Sequence, residues 1–230
     1  KGQHQWYTVQ GGSREYVDRL ASRLASRGTD IRTGAPIAGV RRNFGGIEVR
    51  ANGGEWELFD EVVFATHGND TLRLLSDATG VERAALSQVK YQPNEVVLHA
   101  DTSMMPRRKA AWASWVYTEE KGQRKDRIDL TYWMNSLQPI PKDDPLFVTL
   151  NSTRPIREEL IHDTTTFDHP VYDAGMLEAQ ELIRKINGTN NTWFCGAWMK
   201  NGFHEDGLSS AVDVVAGMER RAASATAAAE

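Results

Sequence analysis

The run Trp193-Phe194-Cys195-Gly196-Ala197-Trp198-Met199-Lys200-Asn201-Gly202-Phe203-His204-Glu205-Asp206-Gly207, continued by Leu208-Ser209-Ser210-Ala211-Val212-Asp213-Val214-Val215, decides how the chain is read. Its order is a short apolar strand, a loop punctuated by glycines, and a helix whose first turn faces back toward that loop. A helix entered this way presents backbone N–H groups that lack an intrahelical acceptor, together with a partial positive charge, to any electron-rich group in front of it. The pattern predicts a cofactor-binding arrangement. An ordinary strand-to-helix turn that uses glycine for tight geometry carries the same signature.

Outward from this stretch, the other segments fall into three textures. Ser13 to Arg27 reads as an amphipathic helix, with Ser13 as cap, Tyr16, Val17, Leu20, Ala21 and Leu24 at helical spacing, and Gly28 as terminator. Thr29 to Arg42, Ile47 to Arg50 and Trp56 to Phe59, the last two separated by Asn52-Gly53-Gly54, read as short antiparallel strands. Glu61 to Thr66 is a nearly continuous apolar run of the kind found in strands buried on both faces. From Tyr91 to Asp173 strand-like segments alternate with Pro, Asp and Lys clusters, and helical periodicity is absent. Trp112, Trp115, Tyr117, Tyr132 and Trp133 in this region either line an apolar pocket or cover one face of a sheet. Met176, Leu177, Leu182, Ile183 and Ile186 mark a further helix ending near Gly188, and an alanine-rich tail follows from Ala222.

Composition removes several classes of function. With 230 residues, 40% hydrophobic and 25% charged, the chain forms one large domain or two small ones. No run is long enough to span a bilayer and no charged-then-apolar leader is visible, so a soluble, cytoplasmic protein is expected. A net charge of −4 argues against nucleic acid as a partner. The single cysteine, Cys195, rules out an internal disulfide and sits in an apolar run where a buried, inert thiol is the usual role. His99, His162 and His169 lack metal-ligand spacing, so no metal is expected.

Several of these segments resemble one family. Thr8-Val9-Gln10-Gly11-Gly12-Ser13-Arg14-Glu15-Tyr16-Val17 resembles the glycine-pair-then-helix element of the flavin-containing amine oxidase and phytoene desaturase superfamily. Ile31 to Arg42 and Phe59 to His67 are similar to its later cofactor-domain strands, and Trp193 to Val215 to its closing flavin motif. Tyr132-Trp133-Met134-Asn135, Phe147-Val148-Thr149-Leu150-Asn151, Asp168-His169-Pro170 and Gly202-Phe203-His204-Glu205-Asp206-Gly207 resemble the bacterial, amine-oxidase-like branch of FAD/NAD(P)-binding oxidoreductases.

The resemblance implies a mixed α/β fold, namely the C-terminal part of a Rossmann-like FAD domain with an inserted β-rich substrate domain. The expected division is 1–90 for the first FAD-domain portion with its antiparallel hairpin, 91–173 for the substrate domain, and 174–230 for the return to the FAD domain. The Gly-x-Gly-x-x-Gly turn with which the family begins is absent, and Gly11-Gly12-Ser13 does not fit it. The missing N-terminal segment of the same protein is therefore an expected partner, the present 230 residues alone are expected to be inactive, and homo-oligomerisation through open sheet edges is a further expectation.

By the same resemblance the cofactor is FAD. It would be held by Ile37, Thr66, Gly196, Ala197, Gly202, Phe203, His204, Glu205, Asp206, Gly207 and Leu208. Ile37 corresponds to a backbone contact with the adenine, Gly196 to the close approach of the ribityl chain, Phe203 to an aromatic beside the flavin ring, and His204 to Leu208 to backbone donors at the pyrimidine edge. Ala197 stands where the superfamily usually has an acidic residue. Lys200 and His204 are the candidate catalytic residues. The implied function is an FAD-dependent dehydrogenase or desaturase oxidising an amine or an apolar, lipid-like small molecule by hydride transfer to flavin. The alternative is a cofactor-free interaction or regulatory fragment that keeps the fold.

Overall fold

A computed structural model describes residues 7–119 and 127–229. In chain order the elements are α1 (Gly12–Ala25), β1 (Ile37–Asn43), β2 (Gly46–Ala51), β3 (Trp56–Phe59), β4 (Val62–Phe64), α2 (Gly68–Leu74), α3 (Gly80–Leu86), β5 (Tyr91–His99), β6 (Trp115–Thr118), β7 (Asp129–Trp133), α4 (Met134–Leu137), β8 (Phe147–Leu150), β9 (Ile161–Pro170), α5 (Ala174–Ile186), β10 (Thr192–Phe194) and α6 (His204–Ala229). The chain divides into two units, 33–92 with 169–230, and 1–32 with 93–168. The mixed α/β fold implied by the sequence is present.

In the first unit β10 runs parallel to β4, in the register Thr192 with Val62, Trp193 with Val63, and Phe194 with Phe64. Phe64 and Phe194 stack at 5.8 Å and join a core built with Leu86, Val89, Met176, Ala179 and Ile183. On the opposite face Trp193 and Cys195 pack against Val214 of α6. β10 is thus buried on both faces, which is why its sequence shows no polar alternation. β4 differs from that expectation: the layer over Trp193 does not extend to Val63, which stays 41% exposed.

Trp193 fixes α6 by shape. A Cβ at Gly188 or at Gly217 would lie 2.6 Å from its ring, so both positions must lack a side chain for the indole to fit. Its Nε1–H donates to Glu61 at 2.5 Å, Glu61 pairs with Arg221, and the Arg221 guanidinium lies 5.0 Å from the Trp193 ring centre.

The antiparallel meander β1-β2-β3 turns at Gly53, whose φ of 72° explains the glycine there. β1 begins at Ile37, later than the run from Thr29 suggested, because Gly34 takes a left-handed φ of 67° and Pro36 has no N–H for a ladder. Arg42 of β1 ties the meander to α3: its guanidinium bonds Asp77 at 2.9 Å and Glu82 at 2.7 and 2.9 Å, and Glu82 closes a capping box with Thr79. Burial opposes ionisation of Glu82, yet its bonds with Arg42 and Thr79 hold the carboxyl below its ordinary range.

The second unit is built on a sheet of order β6-β7-β8-β5-β9. Its registers set two rows of side chains on one face, Trp115-Tyr132-Val148-Leu98 and Tyr117-Leu130-Leu150-Val96. The other face carries Val116-Thr131-Thr149-Val97 and Trp133-Phe147-His99. Strand alternation therefore splits the five aromatics of this region. Trp112 packs edge-on against Trp133 at 5.2 Å and Phe147 at 5.8 Å, while Trp115 and Tyr117 on the opposite face are 49% and 68% exposed.

Beneath the buried face runs a polar chain. His99 accepts the Asp101 N–H at Nδ1 (3.0 Å), so Nε2 carries the hydrogen toward Thr149 Oγ1 (2.7 Å), which bonds Thr131 Oγ1 at 2.9 Å. Burial pushes the His99 imidazole down to about 4. Burial also opposes ionisation of Asp101, but bonds from Arg157 and Ser103 outweigh it and hold that carboxyl well below the usual range.

Two helix boundaries differ from the sequence pattern. α1 starts at Gly12 with Gly11 in the left-handed region as its N-cap, so Ser13 lies inside the first turn rather than before it. The alanine-rich end is the last part of α6, consistent with alanine having the lowest cost in a helix.

Gly217→Val should lower stability by about 2 kcal/mol through overpacking against Trp193. Gly80→Ala, at a helical site with open space, should change it by less than about 1 kcal/mol; urea midpoints of the two variants measure the contrast. For His99 the unfolded side chain takes its proton near its ordinary value and the folded one only near 4, so the unfolded state binds more protons between those values. Stability should fall by about 3 kcal/mol as pH drops across that window, and the slope should be lost in His99→Gln in urea titrations at stepped pH.

Candidate functional site

The site grows from the end of β10. Cys195 continues the parallel ladder by donating to Phe64 O at 2.9 Å, and the chain then leaves the sheet at Gly196. Gly196 has φ 142° and ψ 163°, backbone space that is essentially glycine's alone. A Cβ there would meet the Trp198 ring at 2.9 Å. Ala197–Met199 form a single 3-10 turn, and the Ala197 carbonyl accepts both Lys200 N–H and Gly202 N–H at 3.1 Å. Gly202 is again left-handed at φ 92°, with Tyr172 occupying the place of a side chain.

α6 then starts at His204, and its first intrahelical bond is Gly207 N–H to Phe203 O at 3.2 Å. The amides of His204, Glu205 and Asp206 consequently have no acceptor one turn back. The Asp206 carboxylate turns the other way and accepts Asn201 N–H at 3.2 Å and Phe203 N–H at 3.0 Å. Phe203 is 67% exposed, so its ring presents an open face rather than a core contact.

The structure brings most of the expected residues together. Gly196, Ala197, Lys200, Gly202, Phe203 and His204 to Leu208 form one continuous loop and first helical turn. Thr66 joins them through its carbonyl, which accepts Trp198 Nε1–H at 3.2 Å, while its hydroxyl bonds Thr71 at 2.8 Å. Ile37 stands apart on the meander, where it opens β1. Gly207 lies inside the helix, where a Cβ would make only ordinary contacts of 3.7 Å and more, so Gly196 and Gly202 carry the conformational demand. Lys200 bonds Ser209 Oγ and approaches Asp213 at 3.4 Å. Asp213 is nine residues beyond His204, about 13 Å along the helix.

Two residues that the sequence reading did not single out hold this loop. Ser210 Oγ accepts Gly196 N–H at 2.9 Å, lies 2.7 Å from Gly207 O and 3.2 Å from Gly196 O. Gln180 of α5 donates to Trp198 O at 2.8 Å and Lys200 O at 2.7 Å. A signal for Gln180 exists in the sequence: it falls in the stripe Met176, Ala179, Ile183 that faces the core, where a lone amide must find partners. Among the described residues no cluster of His, Cys, Asp or Glu is arranged to hold a metal ion, and no helix is long and apolar enough to cross a membrane.

The family model for flavin containing amine oxidoreductases matches residues 1–145. No curated protein matches the chain. Among solved structures it resembles a CLA-producing fatty acid isomerase from P. acnes (15% identity, TM-score 0.63, 89% of this chain and 51% of that one). It also resembles a putrescine oxidase with redesigned cofactor binding (14%, 0.57, 90% and 53%) and reduced UDP-galactopyranose mutase (13%, 0.57, 83% and 47%). At these identities the likeness establishes the fold. The chain spans about half the length of these structures.

Proposed function

The chain belongs to the flavin containing amine oxidoreductase family, and from that membership we propose that it works within a longer FAD-dependent oxidoreductase, with the Gly196 to Leu208 segment as the flavin-binding element. The observation that carries this reading is the open first turn of α6: its uncommitted amides, an exposed aromatic ring and two glycines in non-standard conformations surround one loop. These groups suit a planar heteroaromatic ring with acceptors along one edge. The helix start favours negative charge there by about 0.3–1 kcal/mol at an exposed site. When bound, FAD supplies the hydride acceptor.

In this reading Gly196, Ala197 and Gly202 let the backbone approach the cofactor, Phe203 flanks its ring, and the free amides of His204, Glu205 and Asp206 face its polar edge, while Gly207 and Leu208, whose amides are spent within the helix, continue that turn. Thr66 holds the neighbouring strand end, and Ile37 offers its backbone on the adenine side. Of the two candidate catalytic residues, exposed His204 is the one available for proton handling, since Lys200 is engaged by Ser209 and Asp213. An amino-terminal segment of the same protein supplies the pyrophosphate-binding turn. The protein acts in the cytoplasm as a dehydrogenase or desaturase.

The substrate is an apolar or lipid-like small molecule rather than a polar amine. The two apolar rows on one face of the second unit's sheet, buried at Val96 and Leu130 and ending in exposed Trp115 and Tyr117, support that choice. One observation favours a cofactor-free interaction role instead: Ala197 supplies no carboxylate.

Full-length protein should carry visible flavin absorption, and Gly202→Val should reduce flavin occupancy about tenfold or more because valine is strained at φ 92°. Gly207→Ala, inside the helix, should retain it. Full-length protein that stays colourless after incubation with FAD would favour the interaction role.

A further inference from the structure

A single buried oxygen closes the base of the loop. Ser210 is 5% exposed, and its Oγ accepts the N–H of Gly196, where the chain leaves the sheet, at 2.9 Å. The hydroxyl hydrogen goes to Gly207 O at 2.7 Å, one turn back in the same helix, with Gly196 O at 3.2 Å. On the other side Gln180, 4% exposed, spends both amide hydrogens on the carbonyls of Trp198 and Lys200. The loop is therefore gripped from α6 where it begins, at Gly196, and from α5 in its middle.

We infer that Ser210 and Gln180 are positioning residues for the flavin, acting through the loop they hold; the inference rests on the flavin reading given above. Gly196 at φ 142° and ψ 163° has abundant alternative conformations, and its N–H bond to Ser210 selects one of them. Because that bond is made in the folded protein, the entropy of ordering the loop is met during folding and not during binding. Removing the hydroxyl leaves the partly buried Gly196 N–H without its partner, and the loop recovers a protein bond there only by moving. Such a movement displaces the amides of His204 to Asp206 relative to the cofactor edge. Ser210 itself does not touch the cofactor.

The test compares Ser210→Thr with Ser210→Val in the full-length protein, two side chains of the same shape of which only threonine keeps the hydroxyl. FAD is titrated into the apoprotein, and the visible spectrum and reduction potential of the bound flavin are recorded beside the melting temperature of the apoprotein. Valine should weaken FAD binding about tenfold and shift the flavin bands and potential, while threonine should stay within about twofold of the parent. A valine variant with parental affinity, spectrum and potential overturns the inference, whatever its melting temperature, because a purely structural hydroxyl would alter only the last. If the valine variant does not fold, Gln180→Met takes its place with the same expected shifts, and parental values there overturn the inference equally. A parent protein that binds no FAD removes the flavin reading itself, which is distinct from a parent that binds FAD beside an unaffected valine variant.

Discussion

The double-sided burial of β10 is the constraint on which the first unit depends. A three-residue strand has little hydrogen bonding of its own, so its position is set by what it packs against. Phe194 stacks on Phe64 within the core, and Trp193 fills the space that Gly188 and Gly217 leave open beneath α6. Burying side chains of this size contributes about 1.5–3 kcal/mol each, several times the contribution of the exposed ion pairs around them. Packing, and not surface charge, therefore determines where the chain leaves the sheet at Gly196.

Everything proposed for the site follows from that exit point. The position of α6 relative to the end of β10 is fixed by the packing of its Ala211, Val214 and Met218 on Trp193 and Cys195, and the intervening loop must span the gap that results. It does so by placing glycines where the backbone turns against its usual preference, and by satisfying its buried polar groups with Ser210, Gln180 and the Thr66 carbonyl. The helix dipole is the smaller effect. It adds a favourable field at a place that hydrogen bonding and shape have already defined.

How much of this was legible in the sequence depended on whether an element was locally or globally determined. The β10-loop-α6 order was readable because an uninterrupted apolar run, glycines and a following helical pattern need no knowledge of the partner. Asn52-Gly53-Gly54 announced the β2-β3 turn for the same reason. α2 and α3 were not seen, since seven residues give too few turns for periodicity to register. The aromatics of the second unit were read as a group, whereas cross-strand register assigns Trp115 and Tyr117 to one face and Trp133 to the other. Gly207 looked like Gly202 in the sequence, and only the helix boundary distinguishes a glycine required by conformation from one that is not. Ser210 was hidden for a similar reason: its importance lies in two backbone groups, Gly196 and Gly207, that leave no trace in side-chain pattern.

Hydrogen–deuterium exchange of the backbone amides tests most directly whether β10 anchors the unit. The account predicts that the amides of Phe194 and Cys195 are among the last to exchange and do so together with those of α5 that line the core, while Asn201 and Phe203 exchange orders of magnitude sooner. Exchange of β10 at the rate of the loop, with α5 still protected, would contradict it, because the strand would then be held by the loop instead of holding it.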